Sequence, residues 1–153
     1  MCVKRARNFG DLNLKLVLMK MELSFPKPTK ELRQVVTVVH GDWPANRTAV
    51  KCEAVWDTGS SFTIVTERLA KALGLRKIDG KKVLLHAGTG DAESECYEAW
   101  LVLKPGERPV KIVACVMPQP DTDVLIGMDI ISRGRFTVDS TGDETVLTFE
   151  TDF

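Results

Sequence analysis

Two histidines, His40 and His86, and four scattered cysteines leave little from which to build a metal centre. Cys2, Cys52, Cys96 and Cys115 contain no C-x-x-C pair, so no structural zinc site is expected. Reduced thiols in a cytoplasmic protein are the plain reading. An excess of charge of either sign is also missing. The 21 basic and 21 acidic residues cancel, so nothing points to nucleic acid or an anionic membrane as partner, and self-association is not opposed. No apolar run approaches the length of a membrane span. Internal repeats and low-complexity tracts are absent, and 153 residues suffice for one domain with a real core but not for two substantial lobes.

What is present centres on Trp56-Asp57-Thr58-Gly59-Ser60. An apolar run delivers a carboxylate into a tight turn, and a second apolar run, Phe62 to Val65, carries the chain away. A carboxylate between two core strands is costly unless something binds or uses it. Thr58, Gly59 and Ser60 supply N–H groups, hydroxyls and backbone freedom that together fix its orientation. Such a loop suits a carboxylate that activates water.

The remaining chain reads as mostly β, a closed, barrel-like sheet with two short helices. Residues 1–33 are expected to form an N-terminal extension and linker, and residues 34–153 the domain. In the extension Lys4, Arg5 and Arg7 resemble the start of a signal peptide, but Asp11, Lys15, Lys20 and Glu22 interrupt any apolar core. Leu12, Leu14, Leu16 and Leu18 alternate with other residues as in a strand. An added strand and an unordered extension both remain open, and Met19 and Met21 would also serve as starts. Strands are expected at 35–39 and 48–56, the second with Cys52, Ala54 and Trp56 on one face. Thr66 is placed to cap a short helix that Gly74 stops. Asp79-Gly80 reads as a turn, followed by a long hairpin whose tip, Gly88-Thr89-Gly90, is small enough for a mobile lid. Further strands are expected at 110–117, 124–126, 136–139 and 145–150, with a second helix at 128–133.

The segment from Ala54 to Leu75, followed by Asp123-Val124-Leu125-Ile126-Gly127-Met128-Asp129, resembles the retropepsin-like aspartic proteases. The shared pattern is an apolar pair before Asp-Thr-Gly, a helix ending in Gly-Leu, a flap hairpin, and an apolar-apolar-Gly motif before a short helix. Ser60 stands where retroviral members commonly have alanine. The resemblance implies peptide hydrolysis by two carboxylates that share a proton. Only one Asp-Thr-Gly occurs here. Asp139-Ser140-Thr141-Gly142 is one residue too long and reads as a hairpin turn. The second carboxylate is therefore expected from a second copy in a homodimer.

On that resemblance Asp57, Thr58 and Gly59 are the catalytic residues, and Ser60, Gly88, Thr89 and Gly90 contact substrate. Ser60 is expected to donate a hydrogen bond to Asp57, and the strand at 145–150 to pair with the partner chain. Asp129 reads as a helix N-terminal carboxylate. No cofactor or metal is implied, and the partners are a peptide or protein substrate and a second copy. The alternative is a catalytically silent dimeric scaffold that binds extended peptides in the same groove.

Overall fold

The computed structural model describes residues 19–41, 47–87, 90–117 and 121–152. Ten strands and two short helices are found among them. They run β1 (Met19–Pro26), β2 (Leu32–Gly41), β3 (Arg47–Trp56), β4 (Ile64–Thr66), α1 (Glu67–Leu73), β5 (Arg76–Ala87), β6 (Gly90–Val102), β7 (Val110–Met117), β8 (Val124–Ile126), α2 (Met128–Ile131), β9 (Gly134–Asp139) and β10 (Glu144–Thr151). The expected alternating leucines from Leu12 to Leu18, with Cys2, Gly88 and Thr89, lie outside the described residues.

One sheet has the order β2-β3-β8-β4-β7-β6-β5, and β2 also pairs with β6. That extra pairing, Thr37 with Val102 through Val39 with Trp100, closes six strands into a barrel and leaves β5 outside on β6. Closure removes most open strand edges. The interior holds Val36, Val38, Ala54, Leu101, Ile112 and Ile126, all nearly or fully buried. The helix α1 forms as its punctuation predicts. Thr66 accepts from the Leu69 N–H at 3.2 Å, Gly74 closes the other end at φ 61°, and Leu69, Ala70 and Leu73 face the core.

A second sheet, β1-β10-β9, packs against the barrel. Phe149 and Leu147 of β10 are fully buried, with Met19 and Met21 of β1 beside them. Trp56 meets Phe149 and Phe136 with ring centroids 5.1 and 5.3 Å apart, so the joint between the sheets sits one residue before Asp57. This order corrects one expectation. β10 is flanked on both sides within its own chain, so neither of its backbone edges is left for a partner. Asp79-Gly80 also differs from a strand-ending turn. Gly80 adopts φ 68° inside β5, where the register with β6 shifts between Lys77 and Lys82. The chain bulges there and continues, as a single strand can when glycine takes the strained position. Asp139 behaves as read: its carboxylate accepts from the Thr141 N–H at 2.8 Å and hydroxyl at 2.7 Å, which holds it below the ordinary carboxylate range in the β9–β10 turn.

Cys52, Cys96 and Cys115 are free and buried. Burial pushes the Cys52 thiol from 9.0 up to about 12, and burial beside Cys96 does the same for Cys115. Buried protonated thiols are poor nucleophiles. The unfolded chain releases these protons near pH 9 while the folded chain keeps them. Stability should therefore be unaffected by these thiols below pH 9 and fall as pH rises from there towards 12. Denaturant unfolding across that window should show the fall, and Cys52→Ala should make it shallower.

Candidate active site

The Asp57 loop is built by three strands. The chain enters it on β3 and leaves on β4, and β8 lies between the two. β8 runs parallel to β3, with Ala54 opposite Val124 and Trp56 opposite Ile126, and antiparallel to β4, with Ile64 opposite Leu125. Two backbone bonds extend this clamp into the loop. The Asp57 N–H donates to the Ile126 carbonyl at 3.0 Å, and the Met128 N–H to the Ser60 carbonyl at 2.8 Å.

Gly127 is required at the crossing. A Cβ there would lie 2.4 Å from the Phe62 carbonyl oxygen and 2.5 Å from its carbon, both backbone atoms that cannot swing aside. Beneath the loop Thr63 is fully buried. Its hydroxyl donates to Asp129 Oδ1 at 2.7 Å and accepts from the Gly127 N–H at 3.3 Å. Sequence reading passed over Thr63 as part of an apolar run. The available signal was a hydroxyl between Phe62 and Ile64, where the surrounding pattern calls for apolar side chains. Asp129 sits in the first turn of α2, as expected of a helix N-terminal carboxylate, and Thr63 ties it to the loop.

Asp57 itself is half-buried. Its Oδ1 accepts from the Gly59 N–H at 2.9 Å, and the Ser60 N–H closes the turn on the Asp57 carbonyl at 3.2 Å. Thr58 is exposed. The Ser60 hydroxyl differs from its expected role. It donates to the Phe62 carbonyl at 2.7 Å, and a hydroxyl has one proton to give, so Asp57 receives none from it.

A cavity of about 290 Å³ opens at the carboxylate, lined in part by Asp57, Gly59, Phe62, Leu84, His86 and Leu125. Leu84 and His86 bring β5 over this opening, and Leu84 is 55% exposed although apolar. His86 Nδ1 lies 2.6 Å from Asp91 Oδ1 across the β5–β6 hairpin. Gly90 begins β6 at φ 124°, a conformation that favours glycine.

A family model described as gag-polyprotein putative aspartyl protease matches residues 46–133, which hold the loop, the hairpin, β8 and α2. The chain belongs to the retropepsin-like aspartic protease family. DNA damage-inducible protein 1 of Saccharomyces cerevisiae is 31% identical over 114 residues, which is 72% of this chain and 26% of that protein. The chain thus spans about a quarter of that relative's length. A retropepsin-like aspartic protease from Rickettsia conorii has a similar fold, with a TM-score of 0.55 at 20% identity over 88% of this chain and 95% of that one. The EIAV protease, solved with an inhibitor, gives 0.52 at 19% identity over 71% and 91%. These two likenesses concern the fold.

The clamp predicts two substitutions with separate causes. Gly127→Ala should lower stability by about 1–3 kcal/mol or more through overpacking. Thr63→Val should cost about 1–3 kcal/mol by stranding the Asp129 carboxylate and the Gly127 N–H, and Thr63→Ser should restore most of it. Thermal unfolding of the three variants checks both.

Proposed function

We propose that the chain is an aspartic endopeptidase that works as a homodimer, with Asp57 of each copy facing the other across a twofold axis. The observation that carries this reading is the half-buried Asp57 carboxylate, oriented by Gly59 at the mouth of a cavity, in a family member with one Asp-Thr-Gly. One carboxylate draws a proton from water while the other, protonated, hydrogen-bonds to the scissile carbonyl, and they exchange roles as the leaving amine takes its proton. Thr58, exposed beside the carboxylate, reaches the partner loop and braces the pair. The β5–β6 hairpin serves as a flap that closes over an extended peptide and excludes water, with Gly88, Thr89 and Gly90 at its tip and Ser60 near the substrate backbone. Leu84 and Phe62 give that cavity its apolar surface. The second copy joins away from β10. Among the described residues β9, which follows α2 directly, is paired on one side only.

Two carboxylates in contact cannot both ionise cheaply, so the pair holds one proton over an intermediate window and the rate is bell-shaped in pH. Because the Ser60 hydroxyl proton goes to Phe62, Ser60→Ala should leave both limbs of that profile in place. Asp57→Asn should abolish peptide cleavage while the solution mass stays that of a dimer. Cleavage by the variant at the unmodified rate would reduce Asp57 to a turn residue. A dimer in which the unmodified protein cleaves no peptide would favour the silent scaffold.

A further inference from the structure

Among the described residues β1 leaves one backbone edge open. It pairs with β10 alone among the described residues, and from the other side the Lys104 ammonium donates to the Lys20 carbonyl at 3.2 Å. Glu150, the register partner of Lys20, turns its own carbonyl towards β9, where a Cβ on Gly134 would meet it at 2.2 Å. Both observations make the Lys20–Glu150 rung one without mutual backbone bonds. Backbone direction alternates along a strand, so the N–H and C=O groups of Glu22 and Ser24 also face away from β10.

On that side lies a groove of about 670 Å³, lined by Lys20 through Phe25, by Arg33 to Val35 at the start of β2, and by Leu103 to Pro105. Successive strand residues point to opposite faces, so a groove touching six in a row runs along the backbone edge itself. Its lining alternates apolar residues, such as Leu23, Phe25 and Leu103, with polar ones, and Val35 is 65% exposed there. It shares no lining residue with the cavity at Asp57.

We propose that this groove receives an extended segment of another protein by strand addition to β1. The segment carries an apolar side chain at every second position and an acidic one opposite Lys104. Alternating donors and acceptors at Glu22 and Ser24 are complementary to a peptide backbone, whereas an alkyl ligand would leave them unmet. The arriving strand displaces the Lys104 ammonium from the Lys20 carbonyl. Lys104 has no carboxylate partner among the described residues, so the acidic side chain becomes its counter-ion. The proposal does not depend on the peptidase reading.

The test uses the full chain carrying Asp57→Asn, which prevents turnover of the probe. The probe is a short synthetic peptide, blocked at both ends, alternating leucine with threonine and one glutamate. Saturable binding with slowed amide exchange at Glu22 and Ser24 is expected. Adding Ser24→Pro removes an outward N–H without touching the β10 ladder, and should weaken binding about tenfold with β10 exchange unchanged. Adding Val35→Asp, at an exposed wall position, should weaken it independently of any effect on β1. A peptide N-methylated at alternate amides should not bind. The proposal is overturned if no peptide binds, if the N-methylated peptide binds equally, or if both variants bind as before. Protection at Asp57 and Leu84 instead would place the peptide in the other cavity. Self-association abolished by Ser24→Pro would make a second copy the occupant. Either result contradicts the proposal.

Discussion

The insertion of β8 between the two arms of the Asp57 loop is the constraint on which the structure depends. β3 brings the carboxylate in and β4 takes the chain out, and three residues, Val124 to Ile126, hold both. A loop tied on two sides does not need a large core of its own, which suits a short chain. The arrangement also dictates a glycine. The strand must pass so close beneath Phe62 that no side chain fits at position 127. Loop, clamp and α2 are then one unit, stitched by Thr63 from below and by the Met128 N–H from the side. Trp56 joins that unit to the second sheet through Phe136 and Phe149. A cavity made in that stack would reach the carboxylate through one peptide bond.

Local signals carried the sequence reading where the physics is local. Thr66 and Gly74 delimit α1 because capping involves neighbours in the chain. The Asp139 turn was legible for the same reason. β7 and β8 fall where their apolar runs lie. What escaped depends on contacts distant in sequence. The central place of β10 is set by β1, more than a hundred positions earlier, and nothing within Thr145 to Glu150 announces it. Ser60 has a carbonyl two residues on that competes for its proton, and only the folded turn decides which acceptor wins. Thr63 looks out of place in its run until Gly127 and Asp129 are seen around it.

On the proposed reading, one chain supplies one half of the carboxylate pair. Gly59 orients one oxygen of Asp57, and among the described residues no second carboxylate lines the cavity at that loop. Asp139, the other candidate in sequence, is folded into its own turn, and Asp129 is bonded to Thr63. The chain's even balance of charge sets no barrier to self-association.

Mixing unmodified and Asp57→Asn chains under conditions of subunit exchange tests the central claim most directly. If each active site needs an Asp57 from both copies, only unmodified pairs cleave peptide, and an equal mixture retains about one quarter of the activity of the same total amount of unmodified chain. Retention of about one half would mean that each chain carries a complete site, and would contradict the shared pair.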